Sequence, residues 1–288
     1  MFILENAQSS RRGQAGSWQT ATMAAGIAGG MGVAGVLSYL LGEDGRWSGW
    51  WRIAFLLALP LGLIGLHLRR RVAETQQFVA LQATSHLLDH PAGELWKRHK
   101  AAVLRGFCLI GAGSLAFNTF FIFMPNDLIS RHGAGLSPTL LVTAAALAAA
   151  GAAALALGTV SDRVGRRPAA IGSCAALVVL AVPATVVATR GSLLGLMLAQ
   201  VLIGMAVAGV LLVTMLGEAF PAPVRSTGVA LTAGIATALI GGTAPWIAQS
   251  LVRVTAAEAA PGVYVAAIGS LALVALWRWP ETAFRNLH

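Results

Sequence analysis

Eight long apolar stretches dominate the 288-residue chain and restrict its fold more than any other feature. Each stretch has the roughly 17 to 25 residues that a helix needs to cross a hydrocarbon core of about 30 Å. Open sheet edges would leave backbone groups without hydrogen bonds in lipid, and the stretches lack the alternation of barrel strands, so only helices fit. We therefore predict an all-α integral membrane protein, with spans over residues 19–41, 51–68, 102–124, 140–160, 168–188, 192–216, 228–251 and 262–279.

Composition supports a membrane environment. Hydrophobic residues make up 57% of the chain and charged residues 11%, whereas about a quarter of an ordinary soluble domain is charged. A net charge of +9 would suggest nucleic-acid binding in a soluble protein, but here the basic residues fall between the apolar stretches. We expect membrane lipids around the chain and no nucleic-acid partner. Cys108 and Cys174 lie inside apolar stretches without metal or redox spacing, which indicates packing residues.

The distribution of lysine and arginine predicts the orientation. If the residues before the first span are inside, the inner segments hold 15 of the 20 basic residues and the outer segments hold 5. Cytoplasmic segments carry the excess of positive charge in membrane proteins. We therefore expect a multi-pass protein of the cell (inner) membrane with both termini in the cytoplasm.

A short charged segment, residues 158–168, separates the fourth and fifth predicted spans. It reads G-T-V-S-D-R-V-G-R-R-P, with one acidic residue and three arginines on a glycine-flanked backbone. A carboxylate on such a turn can bond to the positive end of a neighbouring helix, and an arginine fork can clamp a carboxylate. The segment is thus a candidate conformational latch. The alternative is a topology loop that only satisfies the positive-inside rule.

The spacing G-x-x-S-D-R-x-G-R-R resembles the loop signature of major facilitator superfamily transporters. Residues 49–78 resemble the sixth helix and following linker of the metabolite:proton symporter family, which contains proline/betaine, shikimate, citrate and 2-oxoglutarate carriers. Residues 2–18 are similar to the junction of helices four and five in that family. The chain departs from the pattern by an additional Trp51 and by Ala54 where proline is usual.

An internal repeat predicts how the chain is divided. A Glu and an Arg seven residues apart precede the first span (Glu5 and Arg12) and the seventh span (Glu218 and Arg225). A Glu-Thr pair follows the second span (Glu74 and Thr75) and the eighth span (Glu281 and Thr282). Spans one and two therefore repeat as spans seven and eight. The resembled transporters have two similar six-helix halves.

The repeat and the resemblance together predict a partial major facilitator fold of about eight of twelve helices, without the first four. Residues 1–72 would be the last two helices of the first half, and residues 101–288 the complete six-helix second half. Residues 73–100 would be a cytoplasmic linker with a helix along the membrane surface that ends near Pro91.

The resemblance also implies contacts within the candidate switch. Asp162 should face the start of the first span, residues 13–18, and Arg163 or Arg166 should reach Glu218. Glycines in the charged segment would permit a tight turn and close helix packing. The complete set of candidate switch residues is Gly158, Asp162, Arg163, Gly165, Arg166, Arg167, Glu218 and Arg225.

Two uncharged polar residues are the candidates for binding a solute. In the resembled superfamily the cavity is lined by helices one, four, seven and ten, and the third and sixth spans here correspond to helices seven and ten. Asn118 and Gln200 lie in these spans, where such groups are costly to leave facing lipid. Each could equally be a helix-to-helix contact. No acidic residue lies deep in a span, so a proton as coupling ion follows from the resemblance alone.

These observations predict a secondary active transporter that takes up a small organic acid, amino acid or betaine with protons. We expect a small-molecule solute as its partner, no other cofactor, no metal and no obligate protein partner. One alternative is a truncated fragment that carries nothing. Another is a drug:proton antiporter, but the first span lacks the proline expected there. An enzyme would need a cluster of ligating or nucleophilic residues near one membrane face, and the six histidines are scattered.

Overall fold

A computed structural model of the chain describes residues 7–8, 11–41, 51–71, 91–210 and 213–283, and within these residues it contains helices and no strand. The helices are Arg12–Leu41, Trp51–Arg71, Pro91–Arg98, Lys100–Asn118, Met124–His132, Leu136–Val164, Arg166–Ala188, Leu193–Val210, Val213–Glu218, Ala222–Ala236, Ala244–Thr255 and Ala260–Trp277. Two π turns, Thr119–Phe123 and Thr237–Gly241, join consecutive helices into longer rods.

Eight of these rods in the described part of the chain are long and apolar enough to cross a membrane, which confirms the predicted number of spans. From the first to the eighth span they are Arg12–Leu41, Arg52–Arg70, Lys100–His132, Leu136–Val164, Arg166–Ala188, Leu193–Glu218, Ala222–Thr255 and Ala260–Trp277. The third span runs past its predicted end at residue 124. Pro125 does not stop it, because the proline follows a π turn near the start of the segment Met124–His132, although its missing N–H leaves that turn one backbone donor short.

The first span packs along the whole length of the fourth through small residues. At one end a Cβ on Gly158 would lie 2.7 Å from the carbonyl oxygen of Gly13. Near the middle a Cβ on Gly151 would lie 3.3 Å from the Cβ of Ala24, and at the far end the Ser137 hydroxyl donates to the Gly35 carbonyl at 2.8 Å. Absent side chains bring the two backbones close, so that packing holds the helices together in lipid.

Spans three to eight enclose two buried apolar clusters. The cluster farther from residues 158–168 contains the aromatic rings of the third span, Phe120 and Phe121 among them, against alanines of the fifth and sixth spans. The nearer cluster contains Leu216, Phe220 and Trp279. Cys174 is fully buried in the nearer cluster, and Cys108 is half-buried.

Several sequence predictions fall on residues outside the described ranges. These are Glu5, the Glu74-Thr75 pair and the predicted surface helix of the linker up to residue 90. The described part of the linker contains the short helix Pro91–Arg98, which begins at the proline instead of ending there. The proline suits the first position of a helix because its ring fixes a helical φ. The second span contacts the first and is exposed along its length.

Candidate functional site: a charged network joining five spans

The charged segment is not the loop that the sequence predicted. The fourth span stays helical to Val164 and the fifth begins at Arg166, so Gly165 alone separates them. Gly165 has a φ of 109°, which side chains of L-residues rarely adopt, and a Cβ there would lie 2.6 Å from an oxygen of Glu281. A single glycine therefore makes the whole turn, and the charges around it stand on helix ends with fixed geometry.

Asp162 caps the beginning of the first span. Its two carboxylate oxygens accept hydrogen bonds from the backbone N–H groups of Gly13 and Gln14, each at 2.8 Å. N–H groups in the first helical turn have no partner within their own helix, and they form the positive end of the helix dipole. The first turn of this span contains no acidic residue of its own. Asp162 thus supplies from the fourth span the cap that the first span lacks.

Arg166 lies between two carboxylates in the interior of the protein. Its Nη1 is 2.8 Å from Asp162 Oδ1 and 2.9 Å from the Ser161 hydroxyl, and its Nε is 3.4 Å from Glu218 Oε2. The side chains of Arg166 and Glu218 are each 1% exposed, and that of Asp162 is 9% exposed. Burial weakens solvent screening, so these charges depend on one another for their stabilisation.

Glu281, which follows the eighth span, caps the beginning of the fifth. Its carboxylate accepts from the backbone N–H groups of Arg166 at 2.9 Å and Arg167 at 3.1 Å. The guanidinium of Arg167 donates in return to the carbonyls of Leu276 and Trp277, at 3.3 and 2.7 Å, where the eighth span ends. The two helix ends are therefore capped by each other's charged residues.

Thr282 closes the network. Its hydroxyl donates to Glu218 Oε2 at 2.6 Å, and its backbone N–H donates to the Glu281 carboxylate at 3.0 Å. Glu218 ends the sixth span, so the charged network joins the first, fourth, fifth, sixth and eighth spans. We call this set, Asp162, Arg166, Arg167, Glu218, Glu281 and Thr282, the switch network.

The switch network contains four of the eight candidate switch residues, namely Asp162, Arg166, Arg167 and Glu218. Asp162 faces the start of the first span as the resemblance implied, and Arg166 is the arginine that lies near Glu218. Arg163 is exposed. Arg225 is buried outside this set, and its Nε donates to the Phe220 carbonyl at 3.2 Å.

Sequence reasoning missed the roles of Ser161, Glu281 and Thr282. The Glu281-Thr282 pair did carry a signal, because it matches the pair after the second span. That match shows that the two pairs occupy equivalent positions in the repeat, but it does not show which residues lie next to Glu281 in space. It therefore gave no reason to place Glu281 at the start of the fifth span.

Gln200 is fully buried and holds a backbone carbonyl that has lost its helical partner. In the π turn the N–H of Met124 bonds to Thr119, and the next residue, Pro125, has no N–H. The carbonyl of Phe120 therefore receives its bond from Gln200 Nε2 at 3.0 Å, and the same nitrogen donates to the Thr143 hydroxyl at 3.1 Å. In this conformation Gln200 links the third, fourth and sixth spans.

Asn118 stands beside the second π turn. Its side-chain nitrogen donates to the Ser114 carbonyl within its own helix at 2.8 Å, and the side chain is half-buried. Ser114 and Thr237 share a hydroxyl hydrogen bond at 3.1 Å between the third and seventh spans. Asn118 makes no side-chain bond to Gln200, so the structure does not bring the two candidate solute residues together.

Comparison with known proteins defines the class of this chain. The family model described as Major Facilitator Superfamily matches residues 2–245, and the chain belongs to this family. It is 30% identical to the proline/betaine transporter of Salmonella typhimurium over 300 residues, which cover 100% of this chain and 59% of that protein. It is 32% identical to the alpha-ketoglutarate permease of Escherichia coli K12 over 262 residues, 87% of this chain and 58% of that protein.

A solved structure gives the same fold. The crystal structure of a D-xylose-proton symporter aligns with a TM-score of 0.60 at 21% identity, over 100% of this chain and 68% of the other. The predicted partial major facilitator fold is confirmed. The chain spans about 60% of the length of the curated relatives that it matches.

Proposed function

We propose that this chain forms the greater part of a secondary active transporter that moves a small organic solute across the cell membrane by alternating access. The solute class is an organic acid, amino acid or betaine, and the coupling ion is the proton. Two observations support this proposal. The chain belongs to the superfamily, and two of its relatives are named as a proline/betaine transporter and an alpha-ketoglutarate permease. The described residues contain no group of three or more metal-ligating side chains.

The observation that carries the proposal is the cap that Asp162 makes on the first span. The first span belongs to the predicted first half and the fourth to the predicted second half, so this contact crosses between halves. A hydrogen bond to a charged group stabilises by about 1.5 to 3 kcal/mol. Two such bonds hold the halves together at this end, and both must break when the halves separate here. The switch network is thus a latch that stabilises one state of the transport cycle.

Orientation is part of the same proposal. The inner segments carry most of the lysine and arginine, which puts both termini and the switch network at the cytoplasmic side. The latch then closes the cytoplasmic end of the solute pathway in the conformation described here. Gln200 and Asn118 lie deeper in the bundle, and a rearrangement of the third and sixth spans would be needed to bring both to a solute.

Uptake by proteoliposomes tests the proposal. The purified chain is reconstituted with an imposed proton gradient, and uptake of labelled proline, betaine, citrate and 2-oxoglutarate is measured. We expect gradient-dependent accumulation of one of them.

Asp162→Asn weakens the cap, and we expect it to lower the transport rate by at least about tenfold. The matched control is Arg253→Gln, an exposed residue at the opposite end, and it should retain the rate. Unchanged uptake by Asp162→Asn would reject the latch.

The second candidate is that the 288-residue chain carries no solute by itself. The chain spans only 59% and 58% of the two relatives. Gly26, Gly29, Gly30 and Gly32 of the first span have no heavy atom of the described residues within 4 Å of where a Cβ would stand. A stretch suited to close helix packing is therefore not covered by the part of the chain that the structure describes. Accumulation of no solute by a folded, inserted chain supports this candidate, whereas gradient-driven uptake rejects it.

A further inference from the structure

A groove with two arginines lies between the third, fifth and eighth spans, away from the first span. Its volume is about 1000 Å³, the upper end of the roughly 300 to 1,000 Å³ common for ligand pockets. Small side chains on the third, fifth and eighth spans leave this room, including those of Ala101, Ala175 and Ala275. We call it the basic groove.

The basic groove is charged at one end, and apolar side chains line the rest of it. Arg105 and Arg278 line it together with leucine, isoleucine and valine side chains, and none of the lining residues that the structure describes is acidic. Within the described residues neither arginine has a carboxylate within 4 Å, in contrast to Arg166 and Arg131. Two cations therefore share one site without a counter-charge from the described part of the chain.

The depth of the lining residues matches one leaflet of a bilayer. Arg278 follows the last residue of the eighth span, and Leu271 lies seven residues earlier, about 10 Å deeper at 1.5 Å per residue. Ala175 lies nine residues into the fifth span, about 13 Å from its beginning. All three helices enter the groove from the end that carries the switch network. In the proposed orientation this is the inner leaflet.

The outward side of the basic groove is open. Val274 and Trp277 are 71% and 77% exposed, and Leu104 is 65% exposed. An indole at the end of a span is typical of the lipid headgroup region. Lipid can therefore reach the groove sideways from the bilayer, without passing through the protein.

We propose that the basic groove binds one phospholipid with an anionic headgroup from the inner leaflet. The phosphate and any further negative group would lie against Arg105 and Arg278, and an acyl chain would follow the apolar wall past Val274. Basic pockets between spans on the cytoplasmic side suit such headgroups. A helix from a second copy would fill the apolar length but leave both guanidinium groups without a counter-charge. This site does not depend on solute transport by the chain.

Native mass spectrometry of the purified, delipidated chain tests the site. It is titrated with phosphatidylglycerol and, for comparison, phosphatidylcholine with the same acyl chains. We expect one tightly bound phosphatidylglycerol and at least tenfold weaker binding of phosphatidylcholine. Equal binding of the two lipids would overturn the proposal. A dimer in place of a lipid-bound monomer, or displacement of the lipid by equimolar inorganic phosphate, would overturn it as well.

Matched charge variants locate the lipid. Arg105→Gln/Arg278→Gln should weaken phosphatidylglycerol binding by about fivefold for each arginine. Arg69→Gln/Arg70→Gln removes the same charge from exposed positions at the end of the second span and should leave binding within twofold. Equal losses in the two variants would show diffuse attraction to the basic surface and overturn the site.

Two further variants keep the test decisive if the double glutamine variant does not fold. Arg105→Lys/Arg278→Lys retains both charges, and we expect it to keep most of the affinity. Ala175→Trp places a large ring in the apolar length and should lower phosphatidylglycerol binding at least tenfold while both arginines remain. Undiminished binding by Ala175→Trp would show that no acyl chain enters the groove and would overturn the proposal.

Discussion

At the scale of single residues, Arg166 is the charge on which the switch network depends. It is the fully buried partner of both Asp162 and Glu218. A buried charge without its partner costs far more than the intact pair contributes, because desolvation is no longer offset. Arg163 lies three residues away on the same charged segment, but it is exposed to solvent.

Replacement of Arg166 should therefore be far more harmful than replacement of Arg163. We expect Arg166→Met to lower the free energy of unfolding by about 3 to 5 kcal/mol, since the buried carboxylates of Asp162 and Glu218 each lose a nearby positive charge. Arg163→Gln should change it by about 0.5 kcal/mol or less. Denaturant titration of the purified chain in detergent measures both. Removing the orphaned charges as well, by Asp162→Asn and Glu218→Gln, should recover part of the loss. Equal effects of the two arginine variants would contradict this account.

Gly165 should tolerate no side chain, whereas Gly172 in the fifth span should. Gly165→Ala combines a φ of 109° with a Cβ 2.6 Å from the Glu281 carboxylate, and we expect a loss of about 1 to 3 kcal/mol. A Cβ at Gly172 meets nothing within 4 Å, so Gly172→Ala should stabilise the helix by about 0.5 to 1 kcal/mol. Thermal unfolding of the two variants side by side checks the difference, and a neutral Gly165→Ala would contradict it.

At the scale of helices, the π turn in the third span depends on a side chain of the sixth. The turn and Pro125 together leave the Phe120 carbonyl without a backbone donor, and Gln200 supplies one. The third span can then keep an irregular turn inside the bundle, where an unpaired carbonyl would be costly. This contact makes the third and sixth spans a coupled pair.

Gln200→Leu should expose that dependence. We expect a loss of about 1 to 3 kcal/mol, because the buried carbonyl is left without a partner. Gln249→Leu, at an exposed position of the seventh span, should be neutral within about 0.5 kcal/mol. Pro125→Ala restores a backbone donor in the turn, so Gln200→Leu should cost less in its presence. Denaturant titration of the single and double variants gives this coupling energy, and a value of zero would contradict the proposed link.

At the scale of the whole molecule, we expect the charges at one end to set how the bundle sits in the membrane. Residues of five spans meet there in the switch network, while the opposite end holds few basic residues. The positive-inside rule then predicts which end faces the cytoplasm. It is the same end that carries the switch network.

Accessibility to an impermeant thiol reagent checks this orientation. In a chain carrying Cys108→Ser and Cys174→Ser, we expect Ser192→Cys, between the fifth and sixth spans, to react in intact cells. Lys97→Cys, before the third span, should react only after the membrane is permeabilised. Both positions are exposed. The reverse labelling pattern would show the opposite orientation.

The eight spans were predictable from sequence because transfer into lipid depends on length and composition, which are local properties of the chain. Residues 158–168 could also be singled out from the sequence, since their spacing G-x-x-S-D-R-x-G-R-R resembles the loop signature of the superfamily. The sequence did not predict that the segment is helical up to Val164. A helix end capped by other spans can continue where an isolated charged segment would not.

The amino-acid sequence alone therefore determined the class of fold, the number of spans and the segment that carries the charges. Only the tertiary structure decided which charges meet: Arg166 and not Arg163 beside Glu218, Glu281 on the beginning of the fifth span, and Gln200 on a carbonyl of the third. The physical reason is that spanning a bilayer is set by each helix separately. Hydrogen bonds and ion pairs between spans require the relative positions of helices that lie up to 149 residues apart in the chain.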